Sequence, residues 1–182
     1  RPALPDGTGA DSGREVSHPG AIARDQVVLI TGGTRGIGLA TAEVFAAHGA
    51  QTVLTYKWGS ADEAEVTRRI VEAGGPEPLI AQADIAREDD TAALIDVVRE
   101  RFGRVDAFVS NASAALVVNS MADYSLRGFQ KSMQYAAWPS FGYLQVMKDR
   151  LGRYPKYVVI MSSDGPDRFT PGYDFVAAAK AV

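Results

Sequence analysis

Short apolar runs rich in β-branched residues recur along the chain, separated by longer stretches of helical composition. Val27 to Thr31, Gln51 to Tyr56, Pro78 to Asp84, Val105 to Ser110 and Lys156 to Ser163 read as five strands. The first is apolar almost throughout, as expected of a strand buried on both faces of a parallel sheet. Leu39 to Gly49, residues 61–73, residues 89–102 and residues 123–151 read as the intervening helices. Gly49 closes the first of these, and Gly74-Gly75-Pro76 breaks the second. The third begins with acids and ends with arginines, which complements a helix dipole. Pro139 predicts a kink in the fourth. A last helix is expected to start near Tyr173. Strands alternating with helices predict an α/β protein, a doubly wound parallel sheet flanked by helices. Right-handed crossovers then gather the strand ends on one edge, where ligands bind. Residues 1–20 show no apolar period and are rich in Pro, Gly, Asp and Ser. We therefore expect a flexible leader over 1–24 and one domain over 25–182.

Composition narrows the chemistry. The chain has 182 residues, 46% hydrophobic and 23% charged, enough for one domain with a core. A net charge of −3 provides no bulk attraction for nucleic acid or membrane, and no apolar run approaches a membrane span. The N-terminus has no signal-peptide core, so a cytoplasmic protein is expected. Cysteine is absent, which excludes disulfides, cysteine–zinc sites and a thiol nucleophile. With only His18 and His48, a histidine triad or zinc cluster is poorly supplied.

The glycine-rich stretch TGGTRGIG, Thr31 to Gly38, follows the first strand and opens the first helix. Gly32 permits a tight turn. Gly36 and Gly38 let the backbone and the helix N-terminus approach a pyrophosphate, flanked by Thr34, Arg35 and Ile37. The setting of strand, turn and helix favours nucleotide binding over a glycine turn that merely packs a helix close to a strand. At the end of the second strand an acid would bind both ribose hydroxyls and favour NAD. This chain has Tyr56 and Lys57 there instead, with Arg35 nearby. Two cations at that corner favour a 2′-phosphate, hence NADPH.

TGGTRGIG, Asp84-Ile85, SNAS (Ser110 to Ser113), MSS (Met161 to Ser163) and a following Tyr and Lys together resemble the short-chain dehydrogenase/reductase family. The resemblance runs from about residue 25 to the end and implies a Rossmann-type fold. It implies that Asp84 and Ile85 lie near adenine and that Asn111 and Ala112 follow the fourth strand beside the cofactor. Ser110 and Ser113 depart from the Asn and Gly usual in that motif. The residues also allow plainer roles: Asp84 could cap a turn, and Asn111 could satisfy backbone groups.

Most reductases of the family place Tyr and Lys four apart on one helix face. Here Val176 stands four before Lys180, and the tyrosine is Tyr173. A spacing of seven returns to nearly the same face, drifting only ~20°. The phenol moves by roughly 4.5 Å along the axis if the helix extends that far. Such a shift suits a conjugated enoyl thioester, whose hydride-accepting carbon lies two bonds beyond the carbonyl carbon. Tyr-x6-Lys resembles the enoyl-acyl-carrier-protein reductases. Their NADPH-dependent branch that retains a serine matches Ser163. By that resemblance, Tyr173 holds the developing enolate oxygen, Lys180 positions the ribose and polarises Tyr173, and Ser163 assists orientation. By the same resemblance, the helix position that holds an Asn in ketone reducers corresponds to Ala136, with Gln134 nearby and expected to face elsewhere.

The substrate implied is an acyl thioester on acyl carrier protein or coenzyme A. Two alternatives stay open: a 3-oxoacyl reductase of secondary metabolism, and a non-catalytic NADPH-binding subunit. Relatives continue well past the point matching Lys180, so truncation after the fifth strand and an exposed strand edge are expected. Relatives also form homodimers and homotetramers through the long helices. Trp138, Phe141, Tyr143, Leu144 and Met147 are candidates for such an interface, and about half of them are expected to be core. Ala114 to Val118 is a candidate lining for an acyl channel or a packed loop.

Overall fold

The computed structural model describes residues 24–59 and 62–181. The expected leader lies outside the described residues, apart from Arg24, and His18 lies outside with it. Twelve elements follow in order: β1 (Val27–Ile30), α1 (Gly36–Ala47), β2 (Gln51–Tyr56), α2 (Glu63–Glu72), β3 (Leu79–Gln82), α3 (Glu88–Phe102), β4 (Ala107–Ser110), a 3₁₀ turn (Met121–Asp123), α4 (Leu126–Ala136), α5 (Trp138–Leu151), β5 (Tyr157–Ile160) and α6 (Asp174–Lys180). The strands form one parallel sheet in the order β3-β2-β1-β4-β5. The winding direction reverses between β1 and β4, which puts a crevice beyond the ends of these two strands.

Alternating side chains of the central strands feed two cores. Val28 and Ile30 point to the α1/α2 side, packing with Leu39, Ala42, Val66 and Ile70. Val27 and Leu29 point to the other side, with Leu94, Ile95, Val98, Tyr143 and Met147 from α3 and α5. Each helix shows the stripe its spacing demands: α3 buries Thr91, Leu94, Ile95 and Val98, the i, i+3, i+4, i+7 set. Its first turn carries Glu88, Asp89 and Asp90 and its last Arg99 and Arg101. Left-handed Gly103, φ 69°, then terminates it.

The single helix expected over 123–151 is two. α4 ends at Ala136 and α5 begins at Trp138, with Pro139 in the first turn of α5. Pro is at home there, because a first-turn N–H has no intrahelical partner. A proline inside a helical pattern thus starts a new helix here instead of kinking a continuous one. The apolar residues of α5 divide as expected. Tyr143 and Met147 are core, at 1% and 0% exposed, whereas Trp138 (53%) and Phe141 (43%) face out. The expected exposed strand edge is observed: among the described residues β5 pairs with β4 alone, and its four residues are 41–51% exposed.

Candidate active site

The glycine turn leaves β1 at Thr31 and enters α1 at Gly36. Its shape is enforced by close packing. A Cβ built on Gly38 would lie 2.2 Å from the Gly32 carbonyl oxygen and 2.7 Å from Asn111 Nδ2. Only glycine lets the helix start this close to the turn. Thr55 at the end of β2 braces the other side: its Oγ1 accepts from the Gly32 N–H (3.3 Å) and its carbonyl from the Gly33 N–H (3.0 Å). Asn111 Nδ2 donates to the carbonyls of Thr31 (3.0 Å) and Gly32 (3.2 Å). The N–H groups of Asn111 and Ala112 both donate to Thr31 Oγ1 at 3.0 Å. Asn111 therefore satisfies backbone groups, and by doing so locks the ends of β1 and β4 together beside the crevice.

A cavity of about 430 Å³ opens there. Gly32, Thr34, Arg35, Gly36 and Ile37 line its floor, with Tyr56 and Lys57 on one wall and Ile85, Asn111 and Ala112 on the other. Ten of the residues named from the sequence for the cofactor line this crevice; Gly38, Asp84 and Lys180 do not. The crevice fits a dinucleotide: a glycine cradle that a Cβ would fill, and a helix N-terminus carrying no acid in its first turn.

Asp84 is the departure. The ribose corner was expected to hold cations without an acid, yet β3 delivers Asp84 to it. Lys57 Nζ lies 2.5 Å from Asp84 Oδ2 and 2.8 Å from the Tyr135 hydroxyl. It also sits 4.1 Å from the Trp58 ring centroid and 4.4 Å from that of Tyr135. Sequence reasoning did not single out Tyr135. It lies one residue before Ala136, and no motif marks it. Tyr56 turns its hydroxyl outward to Glu63 Oε1 (2.7 Å). Arg35 is exposed and, among the described residues, has no carboxylate partner.

Burial disfavours charge on Lys57, but hydrogen bonding to Asp84 and Tyr135 outweighs it and raises the lysine pKa. Burial likewise opposes the Asp84 carboxylate. The hydrogen bonds from Lys57 and the Ala86 N–H outweigh that and hold Asp84 below the usual carboxylate range. The depressed Asp84 contributes stability above the ordinary Asp pKa and loses it as pH falls through its lower folded value. The raised Lys57 contributes below the ordinary Lys pKa and loses it as pH rises through its higher folded value. Asp84→Asn is accordingly expected to cost on the order of 1 kcal/mol at neutral pH. The deficit should vanish in acid below the ordinary aspartate range. Chemical denaturation of both proteins at neutral and acid pH checks this, and an equal deficit at both would show that the ion pair contributes nothing.

The other half of the site lies beyond β5. Tyr173 is the residue just before α6, at the helix entry, as Pro171-Gly172 implies. Gly172, at φ 74°, packs so closely that a Cβ would fall 2.0 Å from the Val118 carbonyl oxygen. Its own carbonyl accepts from the Val118 N–H at 3.0 Å. This pins the start of α6 to the segment after β4, so Val118 belongs to a packed loop, while Leu116 and Val117 of that segment are exposed. The Tyr173 ring lies over Gly165, where a Cβ would come 2.7 Å from Cε1 of the ring and 3.2 Å from Ser163 Oγ. Ser163 Oγ accepts from the Gly165 N–H at 3.2 Å. Gly165 is thus the spacer that brings Tyr173 and Ser163 together. The Gly-Pro pair at 165–166 was the only sign of it in the sequence.

Lys180 does not bond Tyr173. Its Nζ donates to the Met161 carbonyl at 2.6 Å, and burial lowers its pKa. Val176, where most reductases of the family carry the tyrosine, is 7% exposed and belongs to the buried face of α6 with Phe175 and Ala179. Ala136 is buried against Ala179, and Gln134 turns away toward the Ala86 carbonyl (3.5 Å). Ser110, which replaces the usual Asn, meets Ser140 of α5 in a buried hydroxyl pair at 2.9 Å.

A doubly wound parallel sheet with a glycine cradle at its switch point, and a Ser/Tyr/Lys set after β5, defines a nucleotide-dependent oxidoreductase fold. The chain belongs to the short-chain dehydrogenase/reductase superfamily: residues 32–182 match the family described as enoyl-(acyl carrier protein) reductase. A 1-cyclohexenylcarbonyl-CoA reductase of Streptomyces collinus is 37% identical over 162 residues, 87% of this chain and 56% of that protein. A 3-oxoacyl-acyl-carrier-protein reductase of Synechocystis is 40% identical over 87 residues, 48% of this chain and 35% of that protein. The crystal structure of levodione reductase superposes with a TM-score of 0.77 at 31% identity, covering 87% of this chain and 62% of that one. An NADH-dependent reductase complexed with NAD superposes with a TM-score of 0.78 at 25% identity, covering 87% and 68%. The chain spans about half the length of the curated relatives it matches, 56% and 45% for two of them. Among the described residues no helix is long and apolar enough to cross a membrane.

Proposed function

We propose that this protein is an NADPH-dependent reductase of the 2,3 double bond of an enoyl thioester. The observation that carries this reading is the place of Tyr173. It stands at the entry of α6 beside Ser163, while the position four before Lys180 is a buried valine. Relative to position 176, a phenol there is set back toward the N-terminal end of α6. It remains able to reach the oxygen of a thioester whose carbonyl carbon lies two bonds from the accepting carbon. The Streptomyces collinus relative supports the reading, because a 1-cyclohexenylcarbonyl thioester is itself a conjugated enoyl thioester.

A nicotinamide dinucleotide fits the crevice, and the NAD-bound neighbour supports that class of cofactor. When bound in reduced form it supplies hydride. The chain's own groups do the rest. The glycine cradle and the N-terminus of α1 hold the pyrophosphate. Arg35 and Lys57 select a ribose 2′-phosphate over a free hydroxyl. The Tyr173 hydroxyl donates a hydrogen bond to the thioester oxygen as negative charge gathers on it. Lys180 positions the ribose and favours that charge, and Ser163 orients the thioester. The α-carbon then takes a proton from solvent, which completes the reduction.

In this reading the acyl group arrives on acyl carrier protein or coenzyme A, and the protein acts in the cytoplasm in fatty acid or polyketide synthesis. Trp138 and Phe141, three residues apart on the outer face of α5, form part of a homodimer or homotetramer interface. A second reading, a 3-oxoacyl reductase, is favoured by Ser163 and by the Synechocystis relative. Following NADPH and NADH absorbance in the whole protein with a crotonyl and an acetoacetyl thioester separates the two. We expect oxidation of NADPH with the enoyl substrate alone. Oxidation with the ketone alone would move the protein to the 3-oxoacyl reductases. Silence with both, with cofactor bound, would make it a non-catalytic subunit.

A further inference from the structure

Lys57 cannot serve a 2′-phosphate from where it stands. Its charge is already matched by Asp84 at 2.5 Å, so a phosphate approaching the corner meets a neutral pair. To reach the phosphate, Lys57 has to leave Asp84. That would strand a partly buried carboxylate, which is costly unless another donor takes over. The Ala86 N–H, 3.0 Å away, already serves Oδ1. The donor nearest Oδ2 after Lys57 is the Tyr135 hydroxyl, at 3.4 Å.

The donor inventory makes the exchange possible. An ammonium group has donors only, so in the Lys57–Tyr135 contact the phenol oxygen accepts. The single tyrosine proton is therefore left for Asp84, over a bond that is long while Lys57 stands between them. Once Lys57 moves, that bond can shorten to an ordinary charge-assisted distance.

We propose that Tyr135 is a specificity-determining positioning residue: it takes over Asp84 when Lys57 transfers to the cofactor's 2′-phosphate, and so sets the preference for NADPH over NADH. This rests on the NADPH preference proposed above. The depressed Asp84 pKa agrees with a carboxylate that needs a donor throughout. An NADH complex leaves the Lys57–Asp84 pair in place and makes no demand on Tyr135.

The test is calorimetric binding of NADPH, NADH, 2′,5′-ADP and AMP to the whole protein, its Tyr135→Phe and Asp84→Asn variants, and the double variant. Tyr135→Phe is expected to weaken NADPH and 2′,5′-ADP about tenfold, the value of one hydrogen bond to a charged group. NADH and AMP should change by less than about twofold on the same grounds. In the Asp84→Asn background, where no charge is stranded, the phenylalanine should no longer alter the ratio of the two affinities. Equal weakening of all four ligands by Tyr135→Phe would reduce Tyr135 to a packing role and overturn the proposal. So would an undiminished preference for NADPH, or a ratio change that persists with Asn at position 84. A wild-type protein that binds NADPH no better than NADH would instead refute the cofactor preference itself, and the exchange with it.

Discussion

Tyr173→Phe is expected to lower kcat for enoyl thioester reduction by about 10²–10³-fold, the usual effect of removing one oxyanion donor. The ring packs over Gly165, and phenylalanine preserves that contact. Among the described residues the Tyr173 hydroxyl makes no hydrogen bond, so the fold loses nothing when it is removed. KM for the cofactor should change little, because the crevice around the glycine turn does not include Tyr173. The position one helical turn later, the buried Val176, cannot substitute. Steady-state kinetics with a crotonyl thioester decides the matter. A kcat within about twofold of wild type would remove Tyr173 from the chemistry, far below the loss expected for such a donor.

Gly38→Ala is expected to reduce cofactor affinity by at least about tenfold and stability by about 1–3 kcal/mol, the range for overpacking a tight site. The new methyl would meet the Gly32 carbonyl oxygen at 2.2 Å and Asn111 Nδ2 at 2.7 Å. The first contact is backbone and cannot swing aside. Relief requires α1 to move off the turn, which spoils the pyrophosphate cradle and strains the bonds from Asn111 to Thr31 and Gly32 together. Gly36→Ala provides the contrast, because a Cβ there meets nothing within 4 Å. Its cost comes from the left-handed backbone alone, φ 54°, about 1–2 kcal/mol. Thermal melts and NADPH titrations of both variants test the pair. Unaltered affinity in Gly38→Ala would show that the close approach does not shape the site.

Local pattern was enough for most of the fold. The apolar runs mark all five strands, although only β1 and β4 are buried at every position, where a parallel strand covered on both faces leaves little room for polar residues. Strand ends were read a residue or more too long, at Lys156 and Ser163 for example, since propensity does not stop where pairing stops. The break between α4 and α5 was misread as a kink. Pro139 suits either outcome, and only the packing of α5 on α3 and of α4 on α6 decides between them. The glycine turn and the place of Tyr173 at a helix entry were legible for the same reason: each follows from neighbours in sequence.

Contacts between residues far apart in the chain were not legible. Asp84 stands 27 positions after Lys57 and Tyr135 another 51 after Asp84, and nothing local ties them. The parallel pairing of β2 with β3 and the docking of α4 bring the three to one corner. There the cation read as reserved for phosphate is already paired. Gly165 likewise acquired its meaning only when Tyr173 folded over it. By itself the sequence determined the order of strands and helices, the phosphate cradle and the displaced tyrosine, because backbone geometry and side-chain periodicity act over a few residues. The tertiary structure alone decided which charges meet, since Coulombic and hydrogen-bonding partners are chosen by distance in space and not along the chain.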